Sequence, residues 1–185
     1  ATRARLAERI HEVRPHVICA HSLGSLIAFD TFTTPETAET VKNRIFVTLG
    51  SQIGNAFVRG NFLAGRIVPL PAARHWYHLF NEHDDVFTAP IHLAADNFDQ
   101  VETEFDNPGI ADHAATSYLA HARTAESVWS RVVAETHVPR LFRVTRRRKG
   151  DLAFDPPGRR ALLIGINEYP DPSMRLEGCV NDVFL

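Results

Sequence analysis

The stretch His16-Val17-Ile18-Cys19-Ala20-His21-Ser22-Leu23-Gly24 decides the fold. Its first five residues form a short, apolar, β-branched run bounded by Pro15 before and a polar turn after, the pattern of a buried strand. From Gly24 to Phe32 small and apolar residues continue as a helix, which Thr33, Thr34 and Pro35 break. Strand, tight turn and helix are therefore laid end to end. Upstream, Leu6, Ile10 and Val13 repeat on one helical face and predict an amphipathic helix over residues 1–14. Downstream, residues 44–49 (RIFVTL) and 75–80 (HWYHLF) read as two more buried strands, ending in Gly-Ser and in Asn-Glu-His-Asp-Asp. Tyr118, Leu119, Ala122, Ala125, Val128, Trp129 and Val132 predict a long closing helix over 113–134. This rhythm is that of an open α/β sheet whose functional loops lie at the carboxyl ends of strands.

The composition narrows the function classes. In 185 residues, 44% are hydrophobic and 23% charged, which excludes a disordered, collagen-like or disulfide-scaffold chain and leaves room for one full core. A formal charge of −2 disfavours nucleic acid or an anionic membrane as the main partner. No apolar run approaches the roughly 18–20 residues that span a bilayer, and the first residues have no apolar signal-peptide core. Cys19 and Cys179, far apart in sequence, read as free thiols of a reducing, cytoplasmic compartment. Residues 137–159 form a basic, Pro- and Arg-rich linker in which Arg146-Arg147-Arg148-Lys149 reads as a solvated connector. Residues 161–166 (ALLIGI) then start another strand. A beginning at Ala1 without Met, and an end inside an apparent helix at Leu185, read as those of a fragment.

Ser22 carries the candidate chemistry. Ala20-His21-Ser22-Leu23-Gly24 follows a strand and opens a helix, the context that a G-x-S-x-G nucleophile elbow requires. The residues two before and two after the serine must be small because the turn brings neighbouring chain close, and Ala20 stands where Gly is usual. The Leu23 backbone N–H at the helix start is placed to stabilise a developing oxyanion. The bland alternative makes Ser22 a helix N-cap. Against it stands the order Ser, then Asp, then His along the chain. Asp84 and Asp85 follow the third strand, and His113 opens the closing helix. An imidazole must take the serine proton, and a carboxylate must hold that imidazole in the useful tautomer. His113 is singled out from ten histidines by this position; His11, His75, His78, His92, His121 and His137 fall on element faces, and His83 lies in the acidic loop.

On AHSLG, RIFVTLGSQIG, NEHDDVFTAP and ADHAATSYL, residues 14–134 resemble the carboxyl-terminal half of an α/β-hydrolase of the lipase or esterase kind. The resemblance implies an α/β fold with a partial hydrolase sheet and flanking helices over residues 1–136. It implies Ser22 as nucleophile, Asp84 as acid and His113 as base, acting on an acyl ester, lipid or peptide substrate without cofactor or metal. Asp84-Asp85-Val86 resembles the family's acid followed by a turn residue and Val, which favours Asp84 and leaves Asp85 as the alternative acid. The chain departs from the family in lacking the earlier strands and their oxyanion loop. That predicts an exposed sheet edge and a poor enzyme in isolation.

Residues 160–185, RALLIGINEY followed by LEGCVNDV, resemble the first strand, loop and helix of caspase-like proteases, most closely the metacaspases. In that family the catalytic Cys and His lie further along, so Cys179 is read as structural, while Asn181 and Asp182 are helix-start or loop-binding residues. The resemblance implies protein partners for this part. The combined expectation is a fragment of a bifunctional hydrolase, a serine esterase fused to a caspase-like cysteine endopeptidase. Its alternative is a degenerate hydrolase module serving protein recognition for such a protease. About 25 residues are too few for a core of their own, so this second piece is expected to pair with the exposed sheet edge or to stay without a fixed place.

Overall fold

The computed structural model describes residues 2–63, 65–136 and 161–164. In chain order its elements are α1 (Thr2–Val13), β1 (Val17–His21), α2 (Leu23–Thr33), β2 (Ile45–Leu49), α3 (Ala56–Phe62), β3 (His75–Phe80), β4 (Phe98–Glu102), α4 (Ala115–Ala120), α5 (Ala122–Thr124), α6 (Ser130–Thr136) and β5 (Ala161–Ile164). The strands form one parallel sheet in the order β4-β3-β2-β1-β5. The α/β expectation therefore stands at the level of a five-stranded parallel sheet flanked by helices. No helix among the described residues is long and apolar enough to cross a membrane.

Successive residues of a strand face opposite sides of the sheet, and here both sides are covered. Ile18, Ala20, Phe46 and Trp76 pack with Ile10 of α1 and with Ala28, Phe29 and Phe32 of α2. Val17, Cys19, Val47, Leu49, Tyr77 and Leu79 pack on the other side with Tyr118 and Val128. This two-sided burial is why VICAH and IFVTL are apolar almost throughout. Trp76 anchors the first side, its ring 4.9 to 5.8 Å from those of Phe98, Phe29 and Phe46. Each such buried aromatic or aliphatic side chain contributes about 1.5–3 kcal/mol.

Within residues 2–136 the predicted elements are found with two added elements, β4 and α3, and one division. β4 was not expected, because FDQVE carries Asp99 and Glu102 and only Val101 is buried; its polarity is that of an edge strand, which blunts further pairing. α3 was not expected either, although Asn55 caps it by accepting from the Phe57 and Val58 N–H groups. The expected closing helix is divided. A 3₁₀ turn at Gly109–His113 leads into α4, His121 is extended, and α5 continues through a π-turn at Ala125–Trp129 into α6. The carbonyls freed at the break are satisfied by the Thr124 hydroxyl on Tyr118 O and the Trp129 indole on Leu119 O.

β5 lies on the β1 edge, with Val17 opposite Ala161 and Ala20 opposite Ile164, so the strand read as opening a second unit joins the first sheet. Leu162 and Ile164 pack against the core of the α1 and α2 side. The linker 137–159, residue 160 and residues 165–185, with Cys179, Asn181 and Asp182, lie outside the described residues.

The close approach demanded by the turn is visible at Gly24: a Cβ there would stand 2.7 Å from the backbone oxygen of Ile164. Gly24→Ala is expected to cost about 1–3 kcal/mol through overpacking. In hydrogen exchange the amides of 162–164 should lose protection before those of β3; unchanged protection with full stability would contradict the placement of β5.

Candidate active site

Ser22, Asp84 and His113 come from three loops at the carboxyl ends of β1, β3 and β4, and the fold brings them together. Ser22 has φ 51° and ψ −130°, a conformation costly for a residue with a side chain. It is held from both sides. Its N–H donates to Leu49 O at 3.1 Å, and its carbonyl accepts from the Ser25 N–H at 2.9 Å and the Ser25 hydroxyl at 2.5 Å. Ser25 in turn lies 2.6 Å from the Ser51 hydroxyl on the neighbouring loop. Ser22 occupies the N-cap position of α2, yet its hydroxyl caps nothing there. That hydroxyl donates to His113 Nε2 at 2.9 Å.

The other imidazole nitrogen, His113 Nδ1–H, donates to Asp84 Oδ2 at 2.9 Å and lies 3.1 Å from Oδ1. Asp84 accepts two further bonds, from the Tyr118 hydroxyl at 2.6 Å and from the Val86 N–H at 3.1 Å. Burial pushes the Asp84 carboxyl up. The bonds from His113 and Tyr118, the charge of His113 and the Val86 N–H outweigh it and leave the group below the ordinary carboxylate value. It therefore stays ionised at neutral pH and fixes the tautomer in which Nε2 is free to accept. Burial and the adjacent carboxylate push the Tyr118 hydroxyl well above its ordinary range, so it remains a donor. Asp85 is exposed; of the two acids, Asp84 holds the imidazole.

Three neighbours were not singled out from sequence. Gln52 Nε2 stands 3.4 Å from Ser22 Oγ and donates to Val86 O at 3.1 Å, linking the serine to the acid loop. Asp112 accepts the Asn107 N–H at 2.6 Å and so shapes the turn that carries His113. Gly50, with φ +51°, leaves room for two imidazoles, since a Cβ there would stand 3.1 Å from both His113 Cε1 and His21 Nε2. The local signals there, a Gly ending a strand and an Asp beside the histidine, concern Gly50 and Asp112 alone, and none marks Gln52. Leu23 is the first residue of α2, so its N–H lies in the helix's first turn beside Ser22.

With Ser22, Asp84 and His113 at 5%, 3% and 8% exposure, the hydrogen-bond chain is buried, where such bonds are strengthened. Cys19 is buried and stays protonated, its thiol pushed up to about 12 by burial. Comparison with known proteins returns no matching family model, no matching curated protein and no matching solved structure.

Two further histidines make the fold sensitive to acid. Burial lowers His21 to about 4, with the charge of His113 adding to it, and burial lowers His78 to about 4. The unfolded chain takes up these protons near pH 6.5 while the folded chain refuses them. The stabilisation is thus complete above pH 6.5 and is lost as pH falls toward 4, by on the order of 3 kcal/mol per residue. Urea midpoints should fall steeply across that window. His78→Met should remove about half of the slope; a slope that it leaves unchanged would show that His78 is not held neutral.

Proposed function

We propose that the chain is part of a serine hydrolase of the lipase or esterase-like α/β-hydrolase kind, cleaving acyl esters through Ser22, His113 and Asp84. One observation carries the reading: the continuous relay from the Ser22 hydroxyl to His113 Nε2, and from His113 Nδ1–H to Asp84, with both steps at 2.9 Å. Distances of this size are those required for proton transfer.

In the proposed reaction His113 Nε2 takes the Ser22 proton as Oγ attacks the ester carbonyl carbon. The carbonyl oxygen gathers negative charge and is received by the Leu23 N–H, aided by the helix start. Asp84 remains ionised and stabilises the imidazolium. Collapse breaks the ester bond, and the leaving alkoxide takes the proton from Nε2. Water then attacks the acyl-serine with the same base, releasing the acid and restoring Ser22.

The resemblance of residues 160–185 supports a second part to the proposal, that the longer protein also carries a caspase-like cysteine endopeptidase able to engage protein partners; the free thiol of Cys19 supports a reducing cytoplasm as the compartment. The neutral overall charge and the dry, triad-shaped site support an uncharged acyl substrate over a polyanion.

A fluorophosphonate probe, which reacts with activated serines, should label the full-length protein, and Ser22→Ala should abolish the labelling. Asp84→Asn should slow it by about 10³- to 10⁴-fold through the wrong tautomer, whereas Asp85→Asn should leave the rate within about twofold. Any caspase-like peptide cleavage, which the metacaspase resemblance of residues 160–185 implies to follow basic residues, should survive Ser22→Ala. Undiminished labelling of the Ser22→Ala protein would refute the nucleophile.

A further inference from the structure

We propose that His21 is a positioning residue for the reaction: its Nε2–H holds the backbone carbonyl of His113 and so fixes the base imidazole over Ser22. The inference rests on the reading of Ser22 and His113 as nucleophile and base. His21 is the last residue of β1 and the direct neighbour of Ser22. Its ring reaches across to His113, with Nε2 2.7 Å from the His113 carbonyl oxygen and the ring centroids 4.7 Å apart. A carbonyl only accepts, so Nε2 must carry the proton.

That assignment leaves His21 Nδ1 as a bare acceptor, and it is buried without a partner. An unsatisfied buried acceptor is costly. An apolar ring of similar size would fill the same space without that cost, so what the imidazole adds is the Nε2 donor. The carbonyl needs one. His113 closes the 3₁₀ turn, Ala114 after it is extended at φ −68° and ψ 127°, and the Ser117 N–H at the start of α4 donates to the Ala114 carbonyl rather than to that of His113.

The consequence is mechanical. His113 is held at two points, its Nδ1 by Asp84 beyond β3 and its carbonyl by His21 at the end of β1. Because His21 and Ser22 are consecutive, any movement of the β1 end carries nucleophile and base together. Gly50 supplies only the space in which the two rings meet. Displacing a catalytic group by about 1 Å costs on the order of 100-fold in rate, so loss of this strut should act on the rate of acylation and little on binding.

The test combines one measurement on the unmodified protein with two variants. Nitrogen-15 NMR of the His21 ring should show the Nε2–H tautomer with a hydrogen-bond coupling to the His113 carbonyl; an Nδ1–H tautomer would overturn the proposal without any mutation. His21→Phe keeps the ring and removes the donor. It should slow fluorophosphonate labelling about 10- to 100-fold at saturating probe with the half-saturating concentration unchanged, and should broaden the downfield His113 Nδ1–H resonance. His21→Gln places an amide N–H near the Nε2 position and should recover most of the rate even if its melting temperature is no higher than that of His21→Phe. Wild-type labelling of His21→Phe, or losses in the two variants that follow melting temperature alone, would overturn the proposal. Should neither variant fold, the tautomer and the coupling decide. Absence of labelling in the unmodified protein would sink the hydrolase reading instead, and leaves the tautomer measurement to judge the strut.

Discussion

The rest of the site depends on one strained residue. Ser22 sits at φ 51°, where a side chain is costly by about 1–3 kcal/mol, and nothing in a pentapeptide would hold it there. It is held by the sheet. β1 lies between β2 and β5, so the strand end is fixed on both edges, and the Ser22 N–H extends the β1–β2 pairing by one more bond to Leu49 O. On the other side Ser25 ties the carbonyl back to the first turn of α2. The strain turns the hydroxyl away from the helix it would otherwise cap and toward His113. A relaxed Ser22 would be an ordinary N-cap, and its hydroxyl would not meet His113.

The second dependence is electrostatic. A carboxylate with no exposed side-chain surface is expensive to ionise, and Asp84 remains ionised because donors from three places converge on it: the His113 ring, the Tyr118 hydroxyl and the Val86 N–H. These donors also fix every proton in the relay. Tyr118 gives to Asp84, His113 gives to Asp84 through Nδ1, and Ser22 gives to the nitrogen left free. Buried networks of this kind lose more than one bond when one member is removed, because the remaining groups are stranded in a low dielectric. Tyr118 therefore belongs to the site although it touches neither Ser22 nor His113 Nε2 in the hydrogen-bond chain.

The parts of this arrangement that sequence disclosed are those whose signals are local. A strand, a small-residue turn and a helix announce Ser22, and strand ends followed by polar loops announce Asp84 and His113. What stayed hidden is made by segments far apart in the chain. Nothing near Tyr118 says that it meets an acid 34 residues earlier, and nothing near Gln52 places its amide beside Ser22. His21 was visible only as a residue inside the motif, since its partner is 92 residues away. β4 was hidden for a different reason: an edge strand is polar by necessity, so FDQVE lacks the apolar signature that marks β1 to β3.

The same physics explains where β5 lies. A parallel strand at an open edge leaves half of its N–H and C=O groups without partners, and β1 carries the Ser22 turn at its end. Residues 161–164 are apolar and short, lack the means for a core of their own, and match what that edge needs: partners for the β1 backbone, and Leu162 and Ile164 for the half-covered core. Pairing there also sets Ile164 O against Gly24, so that the strand closing the edge presses on the turn beside the serine. Sheet completion and site geometry are thus one packing problem. A strand that reads in sequence as the start of something new acts in the fold as the wall of the older site.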